Sequence, residues 1–214
     1  MPVSCEIVEQ VHAMCEEAAT ANLATGSRRG NLIHLGRVDA DDVMIVADIH
    51  GHRVNFDRLV RIADLEAHPR RHLIMQEVCH GGPLYPNKSG CMSHLLLEDV
   101  MQLKVTYPDR FHFLISNHEL AEMTNFPITK ANRMLNVLFR CGMLELYGSE
   151  TDRLLTAFTR FLSTCPLAVR LETGVFISHS APENVDRNGF DIGIFDQPLS
   201  DDDFDPSGPV FELV

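Results

Sequence analysis

The sequence predicts a layered domain of the α/β (α+β) class. Short apolar runs typical of buried strands alternate with segments whose apolar residues recur at helical spacing, and such alternation is typical of helices layered on sheets. The chain has 214 residues, of which 45% are hydrophobic. Both values suit one globular domain. We therefore expect residues 1–214 to form a single domain.

The helices are predicted from apolar residues that recur every three or four positions. In the first helix, Ile7, Val11, Met14 and Ala18 fall on one face. The predicted helices cover residues 4–22, 56–63, 96–103, 130–144 and 151–163. Residues 26–30 and 81–90 are rich in glycine and polar residues, so we expect loops there.

The strands are predicted from short apolar runs that end at polar residues. They cover residues 43–47, 72–75 and 111–115, a hairpin formed by residues 168–172 and 175–178, and a terminal run at residues 210–214. The chain is thereby divided into an N-terminal helical appendage (residues 1–30), a motif-bearing core (residues 43–182) and an acidic tail that ends in a strand (residues 183–214).

The composition narrows the class of protein. The formal net charge is −12 at pH 7, which argues against nucleic acid or an anionic membrane surface as a partner. No apolar run approaches the roughly 20 residues of a membrane helix, and the first ten residues lack a signal-peptide pattern. The six cysteines are scattered without a CxxC pair. We therefore expect a reduced, cytoplasmic protein without a zinc ribbon or a disulfide framework.

Candidate ligand residues stand where four of the predicted strands end. These residues are Asp48 and His50, then Glu77, then Asn117 and His118, and finally His179. Sites in open sheets collect beyond the carboxyl ends of strands, so these side chains could converge. Carboxylate, imidazole and amide ligands together suit Mn, Fe or Zn rather than a soft metal that prefers thiolate ligands. Two such cations about 3.5–4 Å apart can activate water and hold a phosphoryl group.

Each of these residues also has an ordinary structural interpretation when it is taken alone. An aspartate at a strand end is often a helix cap or a turn former, and an isolated asparagine is often a turn residue. His80 could equally contact an active site or belong to a glycine-rich loop. It is the joint order of the residues that indicates a site.

Three segments resemble signatures of the calcineurin-like metallophosphoesterases. Asp48-Ile-His50-Gly51 resembles the first signature, Ser116-Asn-His-Glu119 resembles the Gly-Asn-His-Glu signature, and Ser178-His179-Ser-Ala-Pro182 resembles the segment that supplies a further metal-binding histidine. The spacing, together with the lead-in from Tyr107 to Phe111, points to the phosphoprotein-phosphatase branch. The resemblance covers about residues 43–182.

The resemblance implies a β-sandwich flanked by helices that hydrolyses phosphomonoesters, as Ser/Thr protein phosphatases do, with a metal-bound hydroxide. The substrate would be a phosphorylated small molecule or a phosphoprotein, and two divalent cations (Mn, Fe or Zn) would be bound. The implied roles are Asp48 and His50 on one cation, Asn117 and His179 on the other, Glu77 as the bridge, and His118 with Asp48 as catalytic residues. His80 and Glu119 are candidates for contacts with the metal ligands or with the phosphate group.

The second signature of the family, Gly-Asp-x-x-Asp-Arg-Gly, is altered in this chain. Glu77 stands in place of the bridging aspartate, His80 in place of the aspartate that would pair with the catalytic histidine, and Gly81 in place of a phosphate-gripping arginine. Arg53, Arg133 and Arg187 are other candidate phosphate contacts.

The last signature of the family, a Gly-His that gives the second metal another histidine, is absent after His179. We therefore expect the chain to stop before the fold is complete. The alternative is a degenerate, non-catalytic protein of the same fold that binds metal or phosphate. A nuclease or phosphodiesterase is a third option, which the acidic charge disfavours.

Overall fold

Two β-sheets and a layer of helices make up the fold, which a computed structural model describes for residues 2–87, 89–182 and 190–214. The helices are α1 (Cys5–Ala24), α2 (Arg53–Ala63), α3 (Ser93–Thr106), α4 (Asn117–Thr124), α5 (Leu135–Tyr147), α6 (Thr151–Ser163) and α7 (Pro209–Leu213). The strands are β1 (Arg28–Arg29), β2 (Leu32–Leu35), β3 (Asp42–Ile45), β4 (Arg71–Gln76), β5 (Phe111–Leu114), β6 (Thr129–Lys130), β7 (Arg133–Met134), β8 (Ala168–Leu171) and β9 (Phe176–Ser178).

The sheet that carries the candidate site consists of β3, β4 and β5, which pair in parallel in that order. Helices α2 and α3 connect these strands, as crossovers between parallel neighbours require. The second sheet has the order β1-β2-β8-β9, with β2 parallel to β8 and β8 antiparallel to β9. The predicted hairpin at residues 168–178 is therefore confirmed.

The two sheets pack face to face because apolar residues alternate along their strands. Ile74 and Leu114 of the first sheet share one buried cluster with Ile33 and Val169 of the second. The opposite face of the first sheet carries Leu73, Met75, Phe111 and Phe113, which are buried in the larger cluster together with the helices. The fold is thus a sandwich flanked by helices, and the predicted mixed class is confirmed.

Helix α1 belongs to this helix layer. It packs against α3 and α6, and it buries Val8, Val11, Cys15 and Ala18 in the main core. The segment that the sequence set apart as an N-terminal appendage is helical as predicted, but its apolar face is part of the core.

The prediction of a terminal strand at residues 210–214 is wrong, because Pro209–Leu213 is a helix. Proline at the first helical turn is preorganised for a helix start. Val210 and Leu213 lie three residues apart and are both buried, as one face of a helix requires. A short apolar run cannot be assigned to a strand or a helix by periodicity alone.

Other boundaries also differ from the prediction. Residues 129–134 form a hairpin before α5, and its turn places Ala131 and Asn132 at φ 49° and 58°, the conformation of a tight hairpin turn. Strand β2 and helix α4 were not predicted, and the residues of β1 were expected to form a loop. In the described residues, every helix is too short or too polar to cross a membrane. All six cysteines are free thiols.

A buried lysine lies at the amino-terminal end of the first sheet. The Lys104 ammonium group donates to Thr25 Oγ1 at 2.8 Å, to the Pro108 carbonyl at 2.5 Å and to the Phe111 carbonyl at 3.2 Å. Its three N–H donors are therefore all used. Burial lowers the pKa of Lys104 to about 8.

Two buried histidines lie inside the sandwich at the same end of the strands. His72 Nε2 is 3.3 Å from the Asp39 carbonyl, and His72 Nδ1 is 2.9 Å from His112 Nε2. A carbonyl only accepts, so His72 donates from Nε2 and His112 donates from Nε2 to His72. His112 Nδ1 is then a buried acceptor without a partner. Burial lowers the pKa of both imidazoles, which keeps the pair neutral.

Candidate metal centre

The site lies in the loops that follow β3, β4 and β5, and main-chain hydrogen bonds join the first two of these loops. The amides of Ile49 and His50 donate to the Glu77 carbonyl at 2.9 and 3.1 Å, and the Gly51 amide donates to the Val78 carbonyl at 2.9 Å. The backbones approach so closely that a Cβ atom on Gly82 would lie 2.5 Å from the carbonyl oxygen of Gly51. The two loops therefore form one rigid platform.

Three residues of this platform have left-handed backbone conformations. His50, Glu77 and His80 have φ values of 45°, 51° and 63°. Non-glycine residues rarely adopt this region, and such strain persists only where the surrounding structure imposes it, often at functional sites. Here the inter-loop hydrogen bonds hold the backbone at His50 and Glu77, and the His80 amide donates to the Ser93 hydroxyl at 3.1 Å.

Glu77 is the centre of the site. Its side chain is buried, with 5% of the residue exposed, and three imidazoles surround it. His50 Nε2 is 2.9 Å and His118 Nε2 is 3.6 Å from Oε1, while His179 Nε2 is 3.1 Å from Oε2. Each carboxylate oxygen thus faces a different set of ligand atoms, as a bridging carboxylate requires.

The candidate ligands form two groups that share Glu77. The ligand atoms of His50, Glu77 and His118 all lie within 4.8 Å of one another, and so do those of Asp48, Glu77 and His179. Asn117 Oδ1 adds an amide oxygen 3.0 Å from His179 Nε2. The sequence-based assignment placed Asp48 with His50, whereas these distances group Asp48 with His179 and His50 with His118.

The hydrogen-bonding partners around His50 test whether a cation fits. His50 Nδ1 lies 3.4 Å from the Cys79 carbonyl, which can only accept, so the neutral ring carries its proton on Nδ1. Its Nε2 lone pair then faces the Glu77 carboxylate at 2.9 Å. Two lone pairs at this distance repel unless a proton or a cation lies between them. A carbonyl that fixes the tautomer from behind is typical of metal-binding histidines, so the donor set fits a cation.

The charges in the site shift the pKa values of three groups. The hydrogen bond to Glu77 raises the pKa of His50. Burial raises the pKa of Glu77, but the hydrogen bond from His50 and the nearby imidazoles outweigh it, so the pKa of Glu77 is lowered. Burial lowers the pKa of His118, although Glu77 opposes this effect. The carboxylate is therefore held in its charged form.

The Glu119 side chain is hydrogen-bonded to the loop that follows β4. Its Oε1 accepts hydrogen bonds from the amides of Val78 and Cys79 at 3.0 and 2.7 Å, and its Oε2 accepts from the Ser116 hydroxyl. Ser116 also caps α4 by accepting from the His118 amide. The Ser-x-x-Glu pattern is a helix-start signal, and it could have predicted α4 from the sequence.

His80 lies in the loop that follows β4 and contacts His118. Its side chain is fully buried, and His80 Nδ1 lies 2.8 Å from His118 Nδ1. On its other side, His80 Nε2 lies 2.8 Å from Glu122 Oε1. Sequence reasoning missed Glu122. It lies four residues after His118 on α4, so recognising that helix would have placed both on one face.

The three arginines that were candidates for phosphate contacts differ in their surroundings. Arg53 forms a bidentate ion pair with Asp99, in which Nε donates to Oδ2 at 2.5 Å and Nη2 donates to Oδ1 at 2.7 Å. Arg133 is exposed on the β6–β7 hairpin. Arg187 lies outside the residues that the structure describes.

The parallel strands, the second sheet packed on them and the loops at their carboxyl ends define a phosphatase-like α/β fold. A solved protein serine/threonine phosphatase from Saccharomyces cerevisiae, described as similar to human phosphatase PP5, matches it with a TM-score of 0.60 and 17% identity. The match covers 97% of this chain and 58% of that chain, so the present sequence spans a little over half the length of that neighbour. At this identity, the likeness shows the fold alone. No protein-family model and no curated protein matches the sequence.

Proposed function

We propose that the protein is a metal-dependent phosphoester hydrolase that acts on phosphomonoesters, on a phosphorylated small molecule or a phosphoprotein. The observation that carries this proposal is the convergence of three imidazole nitrogens on the buried, charged Glu77. Because His50 Nε2 lies 2.9 Å from that carboxylate, a proton or a cation must stand between them, and bound cations would satisfy both groups. The fold shared with a serine/threonine phosphatase supports the same class of reaction.

Divalent cations bound here would supply positive charge to phosphoryl oxygens and activate water. Glu77 would offer Oε1 on the His50 side and Oε2 on the His179 side, so it would be able to hold a cation with each oxygen. Asp48 and Asn117 are the exposed candidate ligands of the site, so they line the side from which substrate would enter. Bound cations would contact the substrate where Gly81 offers no side chain and Arg53 is paired with Asp99.

The resemblance implies that His118 assists the leaving oxygen. To donate from Nε2, the imidazole must be doubly protonated, because its Nδ1 proton is used in the contact with His80. Since burial lowers the pKa of His118, the neutral ring is favoured at neutral pH. Its proton-donating role therefore depends on charge brought by the substrate.

The second candidate function is a non-catalytic protein that binds metal or phosphate through the same site. The observations that favour it are the absence of a side chain at Gly81 and the pairing of Arg53 with Asp99. A phosphomonoester dianion would then have cations but no arginine fork from position 81 or from Arg53 to orient it.

Hydrolysis assays with added Mn²⁺, Zn²⁺ or Co²⁺ would separate these candidates. The substrates are p-nitrophenyl phosphate, a phosphoserine peptide, and bis(p-nitrophenyl) phosphate as the diester arm. We expect metal-dependent turnover of the monoesters, removed by a chelator and restored by metal. Glu77→Gln should lower turnover by about 100-fold or more, since it removes the shared charge, while the exposed Glu66→Gln serves as the matched control.

Metal binding is measured in parallel by calorimetry. Bound metal without turnover on any of these substrates would favour the non-catalytic alternative. Failure of the wild-type protein to bind any of the three metals would refute the proposed function.

A further inference from the structure

A chain of hydrogen bonds determines which nitrogen of His118 carries the proton. The Glu122 carboxylate accepts, so His80 must donate to it from Nε2 at 2.8 Å. Neutral His80 then presents a lone pair on Nδ1, and the partner 2.8 Å away, His118 Nδ1, must be the donor. The Arg140 guanidinium lies 3.6 Å from Glu122 Oε2, which suits a negative charge at the end of this chain.

The remaining nitrogen of His118 is therefore an unprotonated acceptor, and it faces the other ligand atoms. His118 Nε2 is 3.6 Å from Glu77 Oε1, and His50 Nε2 is 2.9 Å from the same oxygen. Ligands at about 2.0–2.2 Å from a tetrahedral cation stand about 3.3–3.5 Å apart. The distance from His50 Nε2 to Glu77 Oε1 lies below this range, and the distance from His118 Nε2 to the same oxygen lies just above it. The planes of the His50 and His118 rings are inclined at 70° to each other.

We propose that His118 is a cation ligand instead of the proton donor that the resemblance implies, and that its Nε2 atom completes a three-ligand site of zinc type with His50 Nε2 and Glu77 Oε1. His80 and Glu122 are positioning residues that hold His118 in the required tautomer. Two imidazoles and one carboxylate form a known catalytic zinc set with a fourth position left open. This inference rests on the proposed function, which requires that the centre hold cations.

The pair His80–Glu122 also explains why the altered second signature is compatible with a metal centre. A histidine ligand usually donates its second N–H to a carboxylate, a carbonyl or water, which fixes the ring. For His50 that acceptor is the Cys79 carbonyl. For His118 it is His80, which is fixed in turn by the buried Glu122. Each of the two imidazole ligands thus has its own acceptor.

The test compares two substitutions of His118 in the full chain, using metal affinity as the readout instead of activity. In His118→Asn, the amide N–H can still donate to His80 but nothing reaches the Nε2 position. In His118→Gln, an amide oxygen can reach that position. Zn²⁺ affinity is measured by competition with a chromophoric chelator, and the Co²⁺ absorption spectrum reports the coordination number. The exposed His52→Asn, two residues from His50, is the matched control.

We expect His118→Asn to weaken Zn²⁺ binding by about 10- to 100-fold and to change the Co²⁺ spectrum. His118→Gln should retain part of the affinity, and His52→Asn should equal the wild type. Glu122→Gln, which keeps a polar partner for His80 but removes the charge, should weaken binding by about 10-fold. Circular dichroism confirms that each variant is folded.

Wild-type affinity and an unchanged Co²⁺ spectrum in both His118 variants would overturn the inference and leave His118 with the proton-donating role that the resemblance implies. If Glu77→Gln abolishes binding in the same experiment, the proposed function survives that outcome. If the wild-type protein binds neither Zn²⁺ nor Co²⁺, both the proposed function and this inference fail.

Discussion

Replacing the buried Lys104 with methionine should change how the stability of the protein depends on pH. Lys104 is 1% exposed, and burial lowers its pKa from 10.5 to about 8. The unfolded chain keeps the ordinary pKa, so between about pH 8 and pH 10.5 it binds a proton that the folded protein has lost. The free energy of unfolding contributed by Lys104 therefore rises with pH across this window. Below it, the cost of burying the charge is fully present.

The size of the effect follows from the two pKa values. Their difference corresponds to about 3 kcal/mol, of which about 2 kcal/mol is regained between pH 8 and pH 10. Other groups act in the opposite direction, since burial raises the pKa values of Cys15 and Cys165 to about 12. The informative quantity is therefore the difference between the unfolding free energies of the wild type and Lys104→Met.

Urea denaturation followed by far-UV circular dichroism suits this measurement, because the chain has no tryptophan. A non-thiol reductant keeps the cysteines reduced, and the exposed Lys130→Met is the control. From pH 8 to pH 10, the wild type should gain about 2 kcal/mol relative to Lys104→Met, whereas Lys130→Met should run parallel to the wild type. A difference that stays flat or declines over this range would refute the reasoning.

Two further predictions concern the histidine pair and the glycine contact. Burial lowers the pKa values of His72 and His112. As the pH falls below about 6.5, these histidines therefore take up protons in the unfolded chain but stay neutral in the folded protein. His112→Leu should therefore lessen the loss of unfolding free energy between about pH 6.5 and pH 5, and equal slopes in both proteins would contradict this. At Gly82, an added Cβ would lie 2.5 Å from a backbone oxygen, whereas at Gly174 it would meet nothing within 4 Å, although both residues have positive φ. Gly174→Ala should cost about 1–2 kcal/mol in thermal melts, and Gly82→Ala should cost clearly more; equal costs would show that the two loops can separate.

Two strands of the first sheet, β4 and β5, could be predicted closely from the sequence because they are buried on both faces. The edge strand β3 is partly exposed but is also a short apolar run. The apolar runs at residues 43–47, 72–75 and 111–115 fall within two residues of β3, β4 and β5. A strand covered on both sides by protein has no polar face, so it is a continuous apolar run. The short terminal run at residues 210–214 lacked such context and was assigned to the wrong element.

The site could be predicted only in part. The ligand types at strand ends were visible, and Asp48, His50, Glu77, Asn117 and His179 do converge. Which of them share a cation depends on side-chain directions that strand positions do not determine. Their roles as ligands, and a cytoplasmic location, stay predictions.

The partnership of His80 with Glu122 could not be predicted from strand ends. Residue 80 belongs to the loop after β4 and residue 122 to α4, so their contact depends on how that helix packs over the loop. A helix at residues 117–124 was not predicted, because the Ser-Asn-His-Glu segment was interpreted only as a motif.

The joining of the two site loops has a consequence for how this kind of site can diverge. Their hydrogen bonds run from main chain to main chain, through the Glu77 and Val78 carbonyls. The side chain at position 77 can therefore be exchanged without moving the peptide unit that carries it, provided that the new residue tolerates positive φ. The same framework could present aspartate, glutamate or histidine donors, and a set of such exchanges would supply alternative coordination environments on one unchanged backbone.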